Sequence, residues 1–96
     1  MRRKHYVVAY DISDDRRRNA VFKTLHGFGD HAQYSVFFCE LNDVELIRLR
    51  QKLRAAINEA EDQVLIVEMG TAPRGIETGI EAVGRSYEPS IRTIVV

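Results

Sequence analysis

Residues 5–18, from His5 to Arg18, read HYVVAYDISDDRRR. The apolar run Tyr6 to Tyr10 is rich in Val and Tyr and short for a helix, which predicts a strand. Asp11 ends the run. Ser13 follows as a predicted helix N-cap, with Asp14 and Asp15 in the first turn, where carboxylates suit the positive end of the helix dipole. The stretch therefore predicts a strand that emerges at Asp11 and turns into a helix opening with Arg16, Arg17 and Arg18. Exposed N–H groups at a helix start favour a phosphate. Three arginines there oppose the dipole, so helix stability alone does not account for them. The plainer reading is a solvated helix face.

Downstream, Val21, Leu25 and Phe28 fall at helical spacing, and the helix is expected to run to Phe28 with Gly29 closing it. His31 to Leu41, HAQYSVFFCEL, alternates like a strand. Ala32, Tyr34, Val36 and Phe38 share one face; Gln33, Ser35, Phe37, Cys39 and Leu41 share the other. The run has no Gly, Pro, Asn or Asp to mark a hairpin. It reads either as one long strand or as two joined by a tight bend near Tyr34-Ser35. Asn42 with Glu45 three residues later matches a capping box. Leu46, Leu49, Leu53, Ala56, Ile57 and Ala60 then form an apolar stripe, with Asp62 expected at the helix end. Gln63 to Met69 is a strand, stopped by Gly70.

Residues 71–89 are punctuated by Gly and Pro, with a short helical piece expected over 76–83. Ile91 to Val96 is again strand-like, and a terminal apolar strand invites pairing with a sheet edge, such as that of a second subunit. The order β-α-β(β)-α-β predicts an α+β fold with both helices on one face of an antiparallel sheet. The ferredoxin-like arrangement is the simplest such solution.

Ninety-six residues make one domain, and chains this small often gain by oligomerising. Fourteen basic and fourteen acidic residues cancel, which argues against a nonspecific nucleic-acid binder but not against a local basic patch. The single cysteine, Cys39, excludes an internal disulfide and a cysteine zinc knuckle. With neither a signal-peptide pattern nor a membrane-spanning run, a cytoplasmic location is expected.

Asp11 alone is a poor home for Mg²⁺, which wants several oxygens. Two copies meeting near a two-fold axis would let both Asp11 side chains share one ion, which would activate water for attack on a phosphodiester. Arg16, Arg17 and Arg18 would then clamp phosphate. Asp14 and Asp15 are alternative ligands, already explained by the helix start. His5, His26 and His31 form no zinc motif. Ser35 is a candidate phosphate donor or a strand-bend hydroxyl.

Four segments, VVAYDISDDRRRNAVFKTL, GFGDHAQYSVFFCEL, the amphipathic helix after Asn42 and the VLIVEM strand, resemble the small CRISPR-associated adaptation proteins of the Cas two family, also called endoribonucleases. Together they span roughly the first seventy residues. The resemblance implies a ferredoxin-like βαββαβ fold with QYS at the tight connection. It also implies a homodimer whose additional C-terminal strand packs on the partner subunit, which makes 71–96 a dimerisation and partner-docking segment. It implies cleavage of single-stranded RNA or duplex DNA with Mg²⁺ near Asp11, with Arg17, Arg18, Ser35 and Phe37 as further site positions. The implied partner is the larger CRISPR integrase, with which the family holds DNA that becomes a new spacer in antiviral defence. Where the family often has an arginine before Q-x-S, this chain has Asp30-His31-Ala32-Gln33, so the titratable His31 takes the expected nucleic-acid contact. Where S-V-F is commonly followed by Glu, Phe38 stands here, with Glu40 two residues later. The competing readings are a toxin-like metal-dependent ribonuclease of related fold and a DNA-binding adaptor without catalysis.

Overall fold

The computed structural model describes residues 2–71, 75 and 79–88. The chain runs β1 (Lys4–Asp11), α1 (Asp15–His26), β2 (Gly29–Gln33), β3 (Val36–Leu41), α2 (Asp43–Ala56) and β4 (Gln63–Gly70). The strands form one antiparallel sheet in the order β2-β3-β1-β4. This is the expected α+β, ferredoxin-like arrangement. The strand that carries Asp11 lies inside the sheet, between β3 and β4.

Alternation along the strands sorts the two faces. Tyr6, Val8 and Tyr10 of β1 and Phe37, Cys39 and Leu41 of β3 point to the helices. There they meet Val21 and Leu25 of α1 and Leu46, Leu49 and Leu53 of α2 in one buried cluster. Each fully buried leucine in it contributes about 2–3 kcal/mol over an exposed one. Val7 and Ala9 point to the opposite face, beside Val36 and Phe38 of β3 and their β4 partners Val67 and Leu65. Over β2 and β3 that face is partly covered by residues 80–88, where the Phe38 and Tyr87 rings sit 5.8 Å apart. Over β4, among the described residues, Leu65, Val67 and Met69 are 51%, 49% and 56% exposed.

Several boundaries differ from expectation. The α1 cap is Asp14, not Ser13; its backbone is extended and its carboxylate accepts the Arg17 N–H at 2.9 Å. A carboxylate at the positive helix end gains both the hydrogen bond and the dipole interaction. The helix closes at Gly27, two residues before Gly29, which instead begins β2. A Cβ on Gly29 would run into the Phe38 carbonyl and the Cys39 sulfur, so this glycine serves close strand approach rather than a helix stop.

The open choice over residues 31–41 resolves as a hairpin. Tyr34 and Ser35 form the turn, and Tyr34 adopts φ 35° in place of the missing glycine. At α2 the capping box is present: Asn42 Oδ1 accepts from Glu45 N, and Glu45 Oε1 accepts from Asn42 N, both at 2.9 Å. This helix ends at Ala56, short of Asp62. Asn58 diverts the chain, its side chain accepting from Ala60 N and Glu61 N, while Asp62 accepts from Asn58 N. Ala60 is consequently exposed rather than on a buried stripe. Of the helical piece expected over 76–83, residues 76–78 lie outside the described residues and 80–83 are not helical. The expected strand at 91–96, and with it the strand exchange, lies outside them too.

Candidate functional site

Asp11 is the last residue of β1 and is exposed, where the strand leaves the sheet. Its alternation places it in line with Val7 and Ala9, on the face away from the helices. Immediately before it, the Tyr10 N–H donates to the Ser35 carbonyl at 3.1 Å, which ties the β2–β3 turn to the end of β1. That tie brings together residues far apart in sequence. A cleft of about 600 Å³ is lined by Asp11, Arg18, His31, Tyr34 and Ser35, with Tyr10 and Phe22 among its apolar walls.

Each polar member is positioned by a recognisable device. Arg18 Nη1 donates to the carbonyls of Ile12 at 3.1 Å and Ser13 at 3.3 Å, and Nη2 pairs with Asp15. The guanidinium is thereby folded back over the β1–α1 junction, and its side chain stays 45% exposed. The His31 Nε2–H donates to the Tyr34 carbonyl at 2.7 Å, so this ring nitrogen carries the proton. The His31 ring rests 4.9 Å from Phe37 and 5.1 Å from Phe22, centroid to centroid, with His26 at 6.3 Å. Burial pushes the Tyr10 hydroxyl above its ordinary pKa, and the nearby Arg18 charge pulls the other way.

The three consecutive arginines, alike in sequence, separate in space. Arg16 is exposed, and its side chain makes no hydrogen bond or ion pair among the described residues. Arg18 lines the cleft. Arg17 turns toward the β4 side, where Nε donates to Asp62 at 2.7 Å and Nη2 to Glu61 at 2.9 Å. With Asp14 also 4.0 Å away, its charge is already surrounded by carboxylates. The three arginines expected as one phosphate clamp are thus split in position, with Arg17 held on the β4 side and Arg18, itself paired with Asp15, at the cleft. Phe37 has no exposed surface. Its ring lies against those of His31 and Phe22, at 4.9 and 5.5 Å between centroids.

Asp14 and Asp15, the alternative ligands, are engaged as helix cap and as Arg18 partner. Among the described residues no three His, Cys, Asp or Glu side chains cluster so as to hold a metal within one chain. Sequence reasoning missed Tyr34 and Phe22 as cleft residues and did not place His31 near Asp11. Alternation assigned Tyr34 to a strand face, whereas the turn swings it to the mouth of the cleft.

Fold and site together define a small ferredoxin-like α+β protein whose first strand delivers one exposed carboxylate to a cleft bearing arginine, histidine and serine. The family model described as CRISPR associated protein Cas2 matches residues 4–74. A protein of Geobacter sulfurreducens named CRISPR-associated endoribonuclease Cas2 is 37% identical over 91 residues, 95% of each chain. One of the same name from Thermus thermophilus is 39% identical over 87 residues, covering 91% of this chain and 83% of its own. Among solved structures, a hypothetical protein from Thermus thermophilus aligns with a TM-score of 0.77 at 30% identity, over 93% of this chain and 100% of that one. Streptococcus pyogenes Cas2 shares the fold, with a TM-score of 0.70 at 22% identity over 83% of this chain and 99% of that one. The chain belongs to the CRISPR-associated Cas2 family. No helix among the described residues is long and apolar enough to cross a membrane.

Proposed function

We propose that this chain is a homodimeric CRISPR adaptation subunit that binds duplex DNA with the larger CRISPR integrase and cleaves phosphodiester bonds as a Mg²⁺-dependent endonuclease or endoribonuclease. The observation that carries the reading is the convergence of exposed Asp11 with Arg18, His31 and Ser35 on one cleft. Membership of the family supports the integrase partnership, and the names of the relatives support the nuclease chemistry.

One carboxylate per chain is a partial shell for Mg²⁺, so the fit depends on a second copy. Asp11 lies at the end of the sheet face whose β4 side exposes Leu65, Val67 and Met69. Pairing of that face about a two-fold axis would let Asp11 and Asp11 of the partner subunit share one ion, with water filling the remaining positions. Such an ion supplies a more acidic bound water and neutralises charge on the phosphate. The chain's own residues do the rest. Asp11 would supply this chain's carboxylate to the ion. Arg18, fixed by two backbone carbonyls, meets a phosphate oxygen with a pre-oriented guanidinium, and Arg16 adds attraction from the exposed helix start. Ser35 donates a hydroxyl hydrogen bond, and His31 walls the cleft with its Nε2–H committed to the Tyr34 carbonyl.

The test compares wild type with Asp11→Ala on labelled RNA and duplex DNA, with Mg²⁺ and with chelator. Asp11→Ala is expected to reduce cleavage on the order of 10³-fold, with duplex binding nearly kept. Arg18→Ala is expected to weaken duplex binding and lower its salt slope by about 1. Unchanged cleavage in Asp11→Ala would sink the metal site. Duplex binding without any cleavage by wild type would leave the adaptor role standing alone.

A further inference from the structure

The turn between β2 and β3 holds an aromatic side chain in a backbone conformation that works against it. Tyr34, at φ 35°, is the one non-glycine residue with positive φ among the described residues. In that region the Cβ crowds its own backbone, a cost that glycine avoids and asparagine tolerates better. Tyr34 is 92% exposed, so no burial among the described residues offsets the cost. Two bonds hold the turn in place. The Tyr34 carbonyl accepts from His31 Nε2 at 2.7 Å, and the Ser35 carbonyl accepts from Tyr10 N at 3.1 Å on the strand that ends in Asp11. The ring is thus displayed at the mouth of the cleft that contains Asp11 and Arg18. Backbone strain held by surrounding structure, at a site where a ligand would pass, is the pattern of a ligand clamp.

We propose that Tyr34 is a stacking platform for one unpaired nucleobase of a single-stranded nucleic acid whose adjoining phosphate lies at Arg18. This rests on the reading of the cleft as a nucleic-acid site and adds to it the side chain that holds a base there. A flat, exposed ring beside a cation serves a strand whose base faces are free. Bases inside a duplex are already stacked on their neighbours and have no face to offer. The stacking surface is the ring, so the hydroxyl is dispensable.

The experiment measures binding of an end-labelled single-stranded oligonucleotide in chelator, so that no cleavage occurs. Wild type, Tyr34→Phe and Tyr34→Leu are compared on the intact strand, on the same strand with one abasic site moved along it, and on the matching duplex. Loss of one stacked base is worth about 5- to 150-fold in affinity. Tyr34→Leu is expected to lose that much on the intact single strand and little on the duplex, while Tyr34→Phe stays close to wild type. One abasic position is expected to weaken wild type by a similar factor and to add nothing to Tyr34→Leu. Equal binding of the intact strand by wild type and Tyr34→Leu would overturn the proposal, as would failure of wild type to bind single strands. A shift of Tyr34→Leu to monomer in sedimentation would also overturn it, because the ring would then be an interface residue. Asp11-dependent cleavage and duplex binding, assayed on the same preparations, report separately on the underlying reading of the cleft.

Discussion

Arg17 joins the start of α1 to the turn that leads into β4, and its partner there is a carboxylate with no exposed surface on its side chain. The Arg17 hydrogen bond, followed by that from the Asn58 N–H, holds the Asp62 carboxyl below its usual range. The same bond to Asp62 raises the Arg17 guanidinium, which stays charged throughout. Because the folded pKa of Asp62 lies below the unfolded one, its contribution to stability is complete above the unfolded carboxylate range of about 4. It is lost as the pH falls through the lower folded value. In urea titrations, Asp62→Asn should therefore be less stable than wild type at neutral pH, with the gap closing as the medium is acidified below about pH 4. Parallel curves for the two proteins would show that the pair carries no such linkage. The arginine ladder that looked uniform in the sequence is divided by this one buried acceptor. Asp62 lies 45 residues from Arg17, so local pattern could not reveal it.

Elements differed in how openly the sequence declared them. The start of α2 was legible because its capping box is complete within four residues, Asn42 to Glu45. Hydrogen bonding to Asn42 is also the leading reason that the Glu45 carboxyl sits below its ordinary pKa. Asn42→Ala removes the acceptor for Glu45 N and should destabilise the protein by about 1 kcal/mol, read from the urea midpoint followed by circular dichroism. An unchanged midpoint would mean that water replaces the cap without cost. The end of the same helix was not legible, since the apolar spacing continues through Ile57 and Ala60 while Asn58 and Asp62 bend the chain away. Gly29 misled for a related reason. A glycine after an apolar helix looks like a stop signal, but what excludes a side chain there is β3, ten residues on at Cys39. The hairpin had no turn residues to announce it, and Tyr34 takes the left-handed position against its own preference.

At the scale of the whole molecule, the sheet has one face filled by helices and another whose β4 side leaves Leu65, Val67 and Met69 about half exposed. An apolar patch in line with Asp11 is the physical ground for expecting the homodimer. Leu65→Glu adds a charge to that patch without entering the core. Its expected result is a folded monomer by sedimentation equilibrium, with Asp11-dependent cleavage lost if the proposed ion needs a carboxylate from each subunit. A monomer that still cleaves would place the whole site within one chain. The sequence by itself determined β1, the two helices and β4 in their order, the apolar stripe of α2 from Leu46 to Leu53, and the position of Asp11 where a strand becomes a helix. Those features follow from short-range periodicity and from caps a few residues long. Only the tertiary structure decided that His31, Tyr34 and Ser35 share a cleft with Asp11 and Arg18, that Arg17 turns away from it, and that Phe37 lies beneath it. Each of those outcomes depends on antiparallel pairing and on hydrogen bonds between distant segments, and such contacts leave no periodic trace along the chain.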